Sequence, residues 1–315
     1  MDTWQFPEEG DGSRVPSKCG SLCVCHVLRC FRLWSEAEQA RKADFDPPEC
    51  FRVDLAGAVL NLAAWGITAP EGFRWLDAPD PLVMQRAVNL LAALGATEAD
   101  GSLTDVGRRM TAFPLPPRLA RLMAAGQDEQ CVVELAAIAA LMQGEGVAMK
   151  GGLNDNLRDS ADYTDFQAEW RAVEKAVDAG FEAGACTRWG ISARGAREVW
   201  MAYRQLLSIG SRGKSREMPE PDFTAARPAV VRAMMESFAD HVGVRNGVAA
   251  NTCRMAGGVG GRLAEGSVAF HGEHFVAAEV AELSGKAVET RVGRCTLIDP
   301  EELRAVWPER FSGGE

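Results

Sequence analysis

Apolar residues take up a helical rhythm from position 55. Leu55, Val59 and Leu62 stand at i, i+4 and i+7, which puts them on one stripe of a helix. Residues 66–79 hold Phe73, Trp75 and Leu76 in a spacing that suits a brief strand or a packed loop. Asp80 then offers a side-chain acceptor at a helix start, and Pro81 sits where a missing N–H costs nothing. Val83, Ala87, Leu90, Leu91 and Leu94 continue the stripe up to Gly95, a residue suited to a left-handed helix end. A turn at Asp100 and Gly101 leads to Leu103, and Thr104 is placed to cap a helix that must stop before Pro114. Short helices with a small β-wing are the anatomy of a winged helix, predicted here over 46–116.

Pro116 and Pro117 open a mainly helical stretch. Leu119, Leu122 and Met123 form a short face, and Val132, Leu135, Ile138, Ala139 and Met142 a longer one. A polar, glycine-rich break over 144–156 precedes a helix marked by Phe166, Trp170, Val173 and Val177. Val199, Tyr203, Leu206 and Leu207 mark another, followed by a polar linker over 208–221. Residues 117–221 thus read as a helical bundle. After one more amphipathic segment over 223–240, the texture changes to short β-like runs at 253–255, 267–270, 275–280 and 296–298. Short strands with turn signals predict a small barrel over 222–315. The fold class is mainly α with a C-terminal β part.

Composition narrows the function classes. No apolar run is long enough to cross a bilayer, and no signal-peptide pattern opens the chain, so a cytoplasmic protein without a membrane partner is expected. The net charge is −10, so a tight, nonspecific grip on phosphates by the whole surface is excluded; any nucleic-acid contact must come from local arginines. Five cysteines beyond position 30 (Cys50, Cys131, Cys186, Cys253 and Cys295) are scattered singly and read as small core residues in a reducing compartment. Cys19, Cys23, Cys25, His26 and Cys30 crowd together, but they lack the paired knuckles of a zinc site. Residues 1–45 read as an irregular leader, and no metal is expected.

Other candidates for chemistry reduce to structure. Residues 257–261 are glycine-rich but have no lysine, and Leu263 stands where a third glycine of a dinucleotide loop would fall; a tight barrel turn is expected. Residues 190–195 miss a nucleophile elbow by one position, so Ser192 reads as a helix cap. His241, His271 and His274 lack the acidic neighbours of a metal site or triad. No catalytic residue is assigned.

Several short blocks, in order, carry a family resemblance. Cys30, Phe31, Arg32, Leu33, Trp34, Ser35 and Glu36 resemble the segment after the last helicase motif of DEAH-box proteins, at the exit of the second RecA-like domain. Pro48-Glu49, Asp54-Leu55-Ala56-Gly57, Ala64-Trp65-Gly66-Ile67 and Trp75-Leu76-Asp77-Ala78-Pro79 resemble the opening of that family's winged helix. Leu94-Gly95-Ala96, Leu103-Thr104, Gly107-Arg108, Phe113-Pro114-Leu115 and Pro117-Arg118-Leu119-Ala120 complete the pattern. Later, Asp240-His241-Val242 with Arg245, the glycines before Arg262, Ser267 and Ala277-Ala278-Glu279 resemble the family's oligonucleotide-binding-like (OB-like) barrel. The HrpB-type branch is the nearest match, over roughly residues 30–311.

The resemblance implies the accessory C-terminal half of an ATP-dependent RNA helicase. Its partners would be single-stranded RNA and RecA-like motor domains, supplied on another chain or lost through a frameshift or misplaced start. The sequence holds no GxxxxGK[ST] loop, no DEAH box and no QRxGRxGR pattern, so it is not expected to hydrolyse ATP alone. ATP and magnesium would bind the motor, and no cofactor is expected in this chain. In the family the bundle and barrel close over RNA, which makes Arg118, Arg121, Arg245, Arg254 and Arg262 the candidate phosphate contacts. Phe270 and Phe275 alone in the barrel could stack on bases, too few for stacking-driven recognition. A free-standing RNA- or protein-binding module and a degenerate helicase remnant are the competing readings.

Overall fold

The computed structural model describes residues 34–43, 48–211, 219–247, 250–256, 258–283 and 289–308. The leader cysteines, and residues 30–33 of the exit segment, lie outside the described residues. Helix α1 (Glu36–Ala40) begins at a capping box in which Ser35 and Glu38 satisfy each other's backbone N–H. Helices α2 (Ala56–Ala64), α3 (Pro81–Ala93) and α4 (Asp105–Met110) follow. The predicted caps are in place. The Asp80 carboxylate accepts from the Leu82 N–H at 2.7 Å, and the Thr104 hydroxyl from the Gly107 N–H at 2.9 Å. Gly95 takes φ +66° and ends α3. The expected wing is reduced to a single antiparallel bridge between Thr97 and Leu103 around the Asp100–Gly101 turn.

Helices α5 (Pro117–Asp128) and α6 (Val132–Gln143) form the centre of the molecule. Leu135, Ile138 and Leu141 are wholly buried, as are the alanines between them, because α6 is surrounded by other helices rather than facing water. Helix α7 (Asp165–Asp178), the short α8 (Ala183–Thr187) and α9 (Ala193–Gly210) close round it. Trp170 of α7 meets Tyr203 of α9 edge-on at 4.6 Å between ring centroids. Helix α10 (Arg227–Ser237) packs on α5 and carries Val230, Val231 and Met234 into the same core. Each such side chain contributes about 1.5–3 kcal/mol through burial.

The C-terminal part is a closed five-stranded barrel of β1 (Val242–Arg245), β2 (Thr252–Met255), β3 (Gly260–Leu263), β4 (His274–Leu283) and β5 (Glu289–Ile298), finished by helix α11 (Pro300–Val306). Strands run in the order β1-β2-β3-β5-β4, and β4 returns to pair with β1. All pairs are antiparallel except β3 with β5. This connectivity suits an OB-like barrel.

Three expectations need correction. Residues 267–270 do not form a strand; Val268–His271 is a 3-10 turn, because the Ser267 hydroxyl caps the Ala269 N–H and Asp165 takes the Val268 N–H. The glycine run is only partly a turn: Gly258 has φ +78°, but Gly260 and Gly261 lie in β3. Helix α11 was missed, although Asp299, Pro300 and Glu302 spell out its capping box.

The buried core runs unbroken from Leu55 to Leu303 and takes in Val276, Ala278 and Ile298 of the barrel. A second, smaller core inside the barrel holds Cys253, Met255, Leu263, Phe275, Val292 and Cys295. Cys131, Cys186, Cys253 and Cys295 are all buried, as their scattered positions led one to expect.

Candidate nucleic-acid interface

The candidate arginines separate into two kinds. Arg118, in the first turn of α5, donates two hydrogen bonds to the Asp240 carboxylate at 2.8 and 2.7 Å and a third to the Ser237 carbonyl at 3.0 Å. Its guanidinium also lies 5.6 Å from the centre of the Phe238 ring. Burial pushes the Asp240 carboxyl upward, but the hydrogen bonds and charge of Arg118 outweigh it and hold the group below its ordinary range. Arg121, one turn on, donates to the Leu94 carbonyl at 3.1 Å and to Glu236 at 2.8 Å. Its side chain is 14% exposed. Both arginines join α5 to α10 and to the start of the barrel through these bonds, although Arg121 Nη1 is buried without a hydrogen-bond partner. Arg245 likewise donates to the Phe270 carbonyl at 2.9 Å across one end of the barrel.

Arg254 and Arg262 differ in exposure. Each stands on the outer face of its strand, exposed, while its neighbours Cys253, Met255 and Leu263 point inward. The parallel pairing of β3 with β5 sets Arg262 directly beside Arg291, also exposed, and Val292 turns into the core. Thr252 pairs with Arg262, and Arg254 pairs with Gly260, so the three arginines share the outward face of β2, β3 and β5. Sequence reasoning missed Arg291; the alternation of Arg291, Val292 and Gly293 in a β-run was its only signal. Phe275 is fully buried and Phe270 packs against the barrel core, so neither presents a free ring.

Beside Arg291 a cleft of about 490 Å³ opens between barrel and bundle. It is lined by Arg158, Asp165, Glu169, Glu279, Arg291 and Arg294 among others. Asp165, at the start of α7, accepts from Ser267 Oγ, the Val268 N–H and the Cys295 N–H, each at 2.7 Å. Burial raises its carboxyl above the ordinary range in spite of those three donors. Glu169, one turn on, accepts from Arg294 at 3.2 Å and is likewise raised by burial. Arg158 donates to the Gly266 carbonyl, and the Thr164 and Thr296 hydroxyls meet at 2.8 Å. These contacts fix the barrel on the bundle, and sequence alone gave no sign of them.

The remaining candidates have structural partners. Ser192 caps α9 through the Gly195 N–H at 3.1 Å. His241 is held below its ordinary range by burial and shares a hydrogen bond with the Ala277 carbonyl at 3.1 Å. Among the described residues, no group of three His, Cys, Asp or Glu side chains could hold a metal.

Comparison with known proteins agrees with this architecture. Residues 87–115 match the winged-helix family described as helicase associated domain (HA2). The ATP-dependent RNA helicase HrpA homolog of Haemophilus influenzae is 35% identical over 120 residues, which cover 36% of this chain and 9% of that protein. HrpA of Escherichia coli is 36% identical over 110 residues, covering 33% and 8%. The matched stretch is therefore less than a tenth of these relatives. The crystal structure of the E. coli DExH-box NTPase HrpB superposes on 87% of this chain and 28% of its own, with a TM-score of 0.60 and 23% identity, a likeness of fold. A second E. coli structure, of DEAH/RHA helicase HrpB, covers 85% of this chain with a TM-score of 0.56 and 22% identity. With its helicase-associated winged-helix segment, its HrpA-like stretch and the HrpB-like order of helical bundle and five-stranded barrel, the chain is similar to the C-terminal part of DEAH-box helicases of the HrpA/HrpB type.

Proposed function

We propose that this chain is the accessory C-terminal module of an ATP-dependent RNA helicase of the HrpB type, forming one wall of the RNA channel and bracing the motor. The exposed row of Arg254, Arg262 and Arg291 on the barrel carries the reading. Three cations on one outward face suit the spaced phosphates of a single strand, and they do so on a chain whose net charge is −10. Phosphate contact without free aromatic rings on that face favours sequence-independent binding, as a strand passing through a helicase requires. RecA-like motor domains would bind ATP and magnesium and supply hydrolysis. Such a module would work in the cytoplasm; no helix among the described residues is long and apolar enough to cross a membrane.

The motor-facing surface would be the apolar group Phe51, Val53, Trp65, Leu76 and Leu82, all exposed on the winged-helix side. Cys50 Sγ reaches the Asp77 carbonyl at 3.6 Å and brings the stretch holding Phe51 and Val53 to the loop holding Leu76. The chain enters the winged helix at this end, next to the stretch that resembles the motor's exit.

Fluorescence anisotropy of a labelled single-stranded RNA, titrated with the whole chain across salt, tests the channel reading. Binding should weaken as salt rises, and the triple variant Arg254→Gln/Arg262→Gln/Arg291→Gln should weaken it further and flatten the log–log salt slope by about two. An unchanged slope in a folded triple variant would remove the barrel from the channel.

A further inference from the structure

We infer that the bundle carries a second contact for single-stranded nucleic acid, at the far end of α7 where it meets α8 and α9. The inference rests on the RNA reading above but concerns different residues. Lys175 Nζ lies 4.5 Å from the centre of the Trp189 ring, and the Arg197 guanidinium 5.2 Å from that of Phe181. Both cations are exposed and both rings half-buried, so the patch alternates charge with flat apolar surface. Arg194, Arg197, Met201 and Arg204 lie on one exposed stripe of α9, and Arg188 adds a further exposed cation at the end of α8.

The nearby acids are already engaged or few. Glu198 pairs with Arg194 at 2.8 Å, and the Glu182 carboxylate accepts from the Gly184 and Ala185 N–H groups that it caps. Asp178 is the other exposed acid on this end of α7, and exposed Glu145 acts on Arg194 from the loop after α6. Among the described residues, no carboxylate lies within ion-pair distance of Lys175, Arg188, Arg197 or Arg204.

Backbone geometry sets this patch apart from an ordinary solvated face. Phe181 has φ +60°, directly after Gly180 at φ +57°. A bulky residue in the left-handed region is disfavoured, and Gly or Asn would serve the turn better. The conformation is held by the Phe181 N–H donating to the Ala176 carbonyl at 2.7 Å, and it directs the ring against Arg197. Trp189 is fixed similarly: its carbonyl accepts from the Asn154 N–H at 3.0 Å, while its N–H donates to Cys186. Rigid rings beside unpaired cations suit a chain of phosphates and bases, with stacking on the rings and phosphates at the arginines. Helix α7 spans fourteen residues, about 20 Å, so this patch stands well away from the barrel seam at its other end.

The test uses the whole chain and a fluorescein-labelled oligouridylate. Phe181→Gly removes a half-buried ring that packs on the core, so it should melt below the wild type, and the folded variant should bind roughly fivefold or more weakly. Lys175→Gln/Arg197→Gln should flatten the salt slope by about 1.4. Unchanged affinity and slope in both, while the barrel triple variant weakens binding, would overturn the bundle contact and leave the channel reading standing. Absence of RNA binding by the wild-type chain would overturn both. Displacement of the RNA by poly-L-glutamate at equal charge, with Phe181→Gly behaving as wild type, would mark an acidic-protein site and overturn the inference.

Discussion

Arg118 and Asp240 are 122 positions apart and meet in a two-pronged ion pair, with both guanidinium N–H groups donating to the two carboxylate oxygens. Each belongs to a short block by which the sequence resembles helicases. Their pairing joins the two blocks and clamps the first turn of α5 to the junction where α10 hands over to β1. Arg118→Ala should lower stability by about 1–2 kcal/mol in urea unfolding, since Asp240 is partly exposed and water compensates part of the loss. RNA affinity of the folded variant should not change.

The same pair predicts a pH dependence. The folded-state pKa of Asp240 is depressed, so its contribution is complete above the unfolded carboxylate value of about 3.9 and is lost as pH falls through the folded value. The stability advantage of wild type over Arg118→Gln should therefore be constant near neutrality and shrink below about pH 4. Thermal melts across that range measure it; an advantage that grows on acidification would contradict the assignment.

Asp165 behaves in the opposite sense. Burial raises its folded-state pKa, so the folded chain holds that proton more tightly than the unfolded one, and stability rises as pH drops through the raised value. Asp165→Asn should remove this part of the pH dependence. It should also loosen the seam, because the amide N–H₂ would face one of the N–H donors of Val268 and Cys295, at a cost of about 1–3 kcal/mol. Faster hydrogen exchange at the Cys295 amide is the direct readout.

Two adjacent glycines in β3 should respond differently to alanine. A Cβ on Gly261 would come within 2.6 Å of Val292 Cγ2 and 3.1 Å of the Thr290 carbonyl, whereas on Gly260 it would meet only the Cys253 carbonyl at 3.6 Å. Gly261→Ala should cost about 1–3 kcal/mol by forcing β3 from β5, and Gly260→Ala should be nearly neutral. Since the β3–β5 pairing aligns Arg262 with Arg291, Gly261→Ala should also weaken RNA binding.

Cysteine reactivity gives an independent check on burial. Burial pushes the Cys131 thiol up to about 12 and the Cys295 thiol well above its ordinary range. Iodoacetamide under native conditions, followed by peptide mapping, should label half-exposed Cys50 well before Cys131, Cys186, Cys253 or Cys295.

Local signals were legible in the sequence. Apolar stripes, the caps at Asp80, Thr104 and Ser192 and the helix end at Gly95 follow from spacing and residue type, because they depend on contacts within a few residues. So did the change from helices to short strands. Tertiary structure alone decided which arginines face outward. Arg118, Arg121 and Arg245 look as exposed in sequence as Arg254 and Arg262, yet they are drawn inward to Asp240, Glu236 and backbone carbonyls brought in from distant segments. Arg291 acquired its neighbours in the same way, through a parallel pairing of two strands that no local pattern encodes. A side chain's type is written in the chain, but its partner is set by chain closure over long separations, and with it whether the charge stabilises the fold or remains for a ligand.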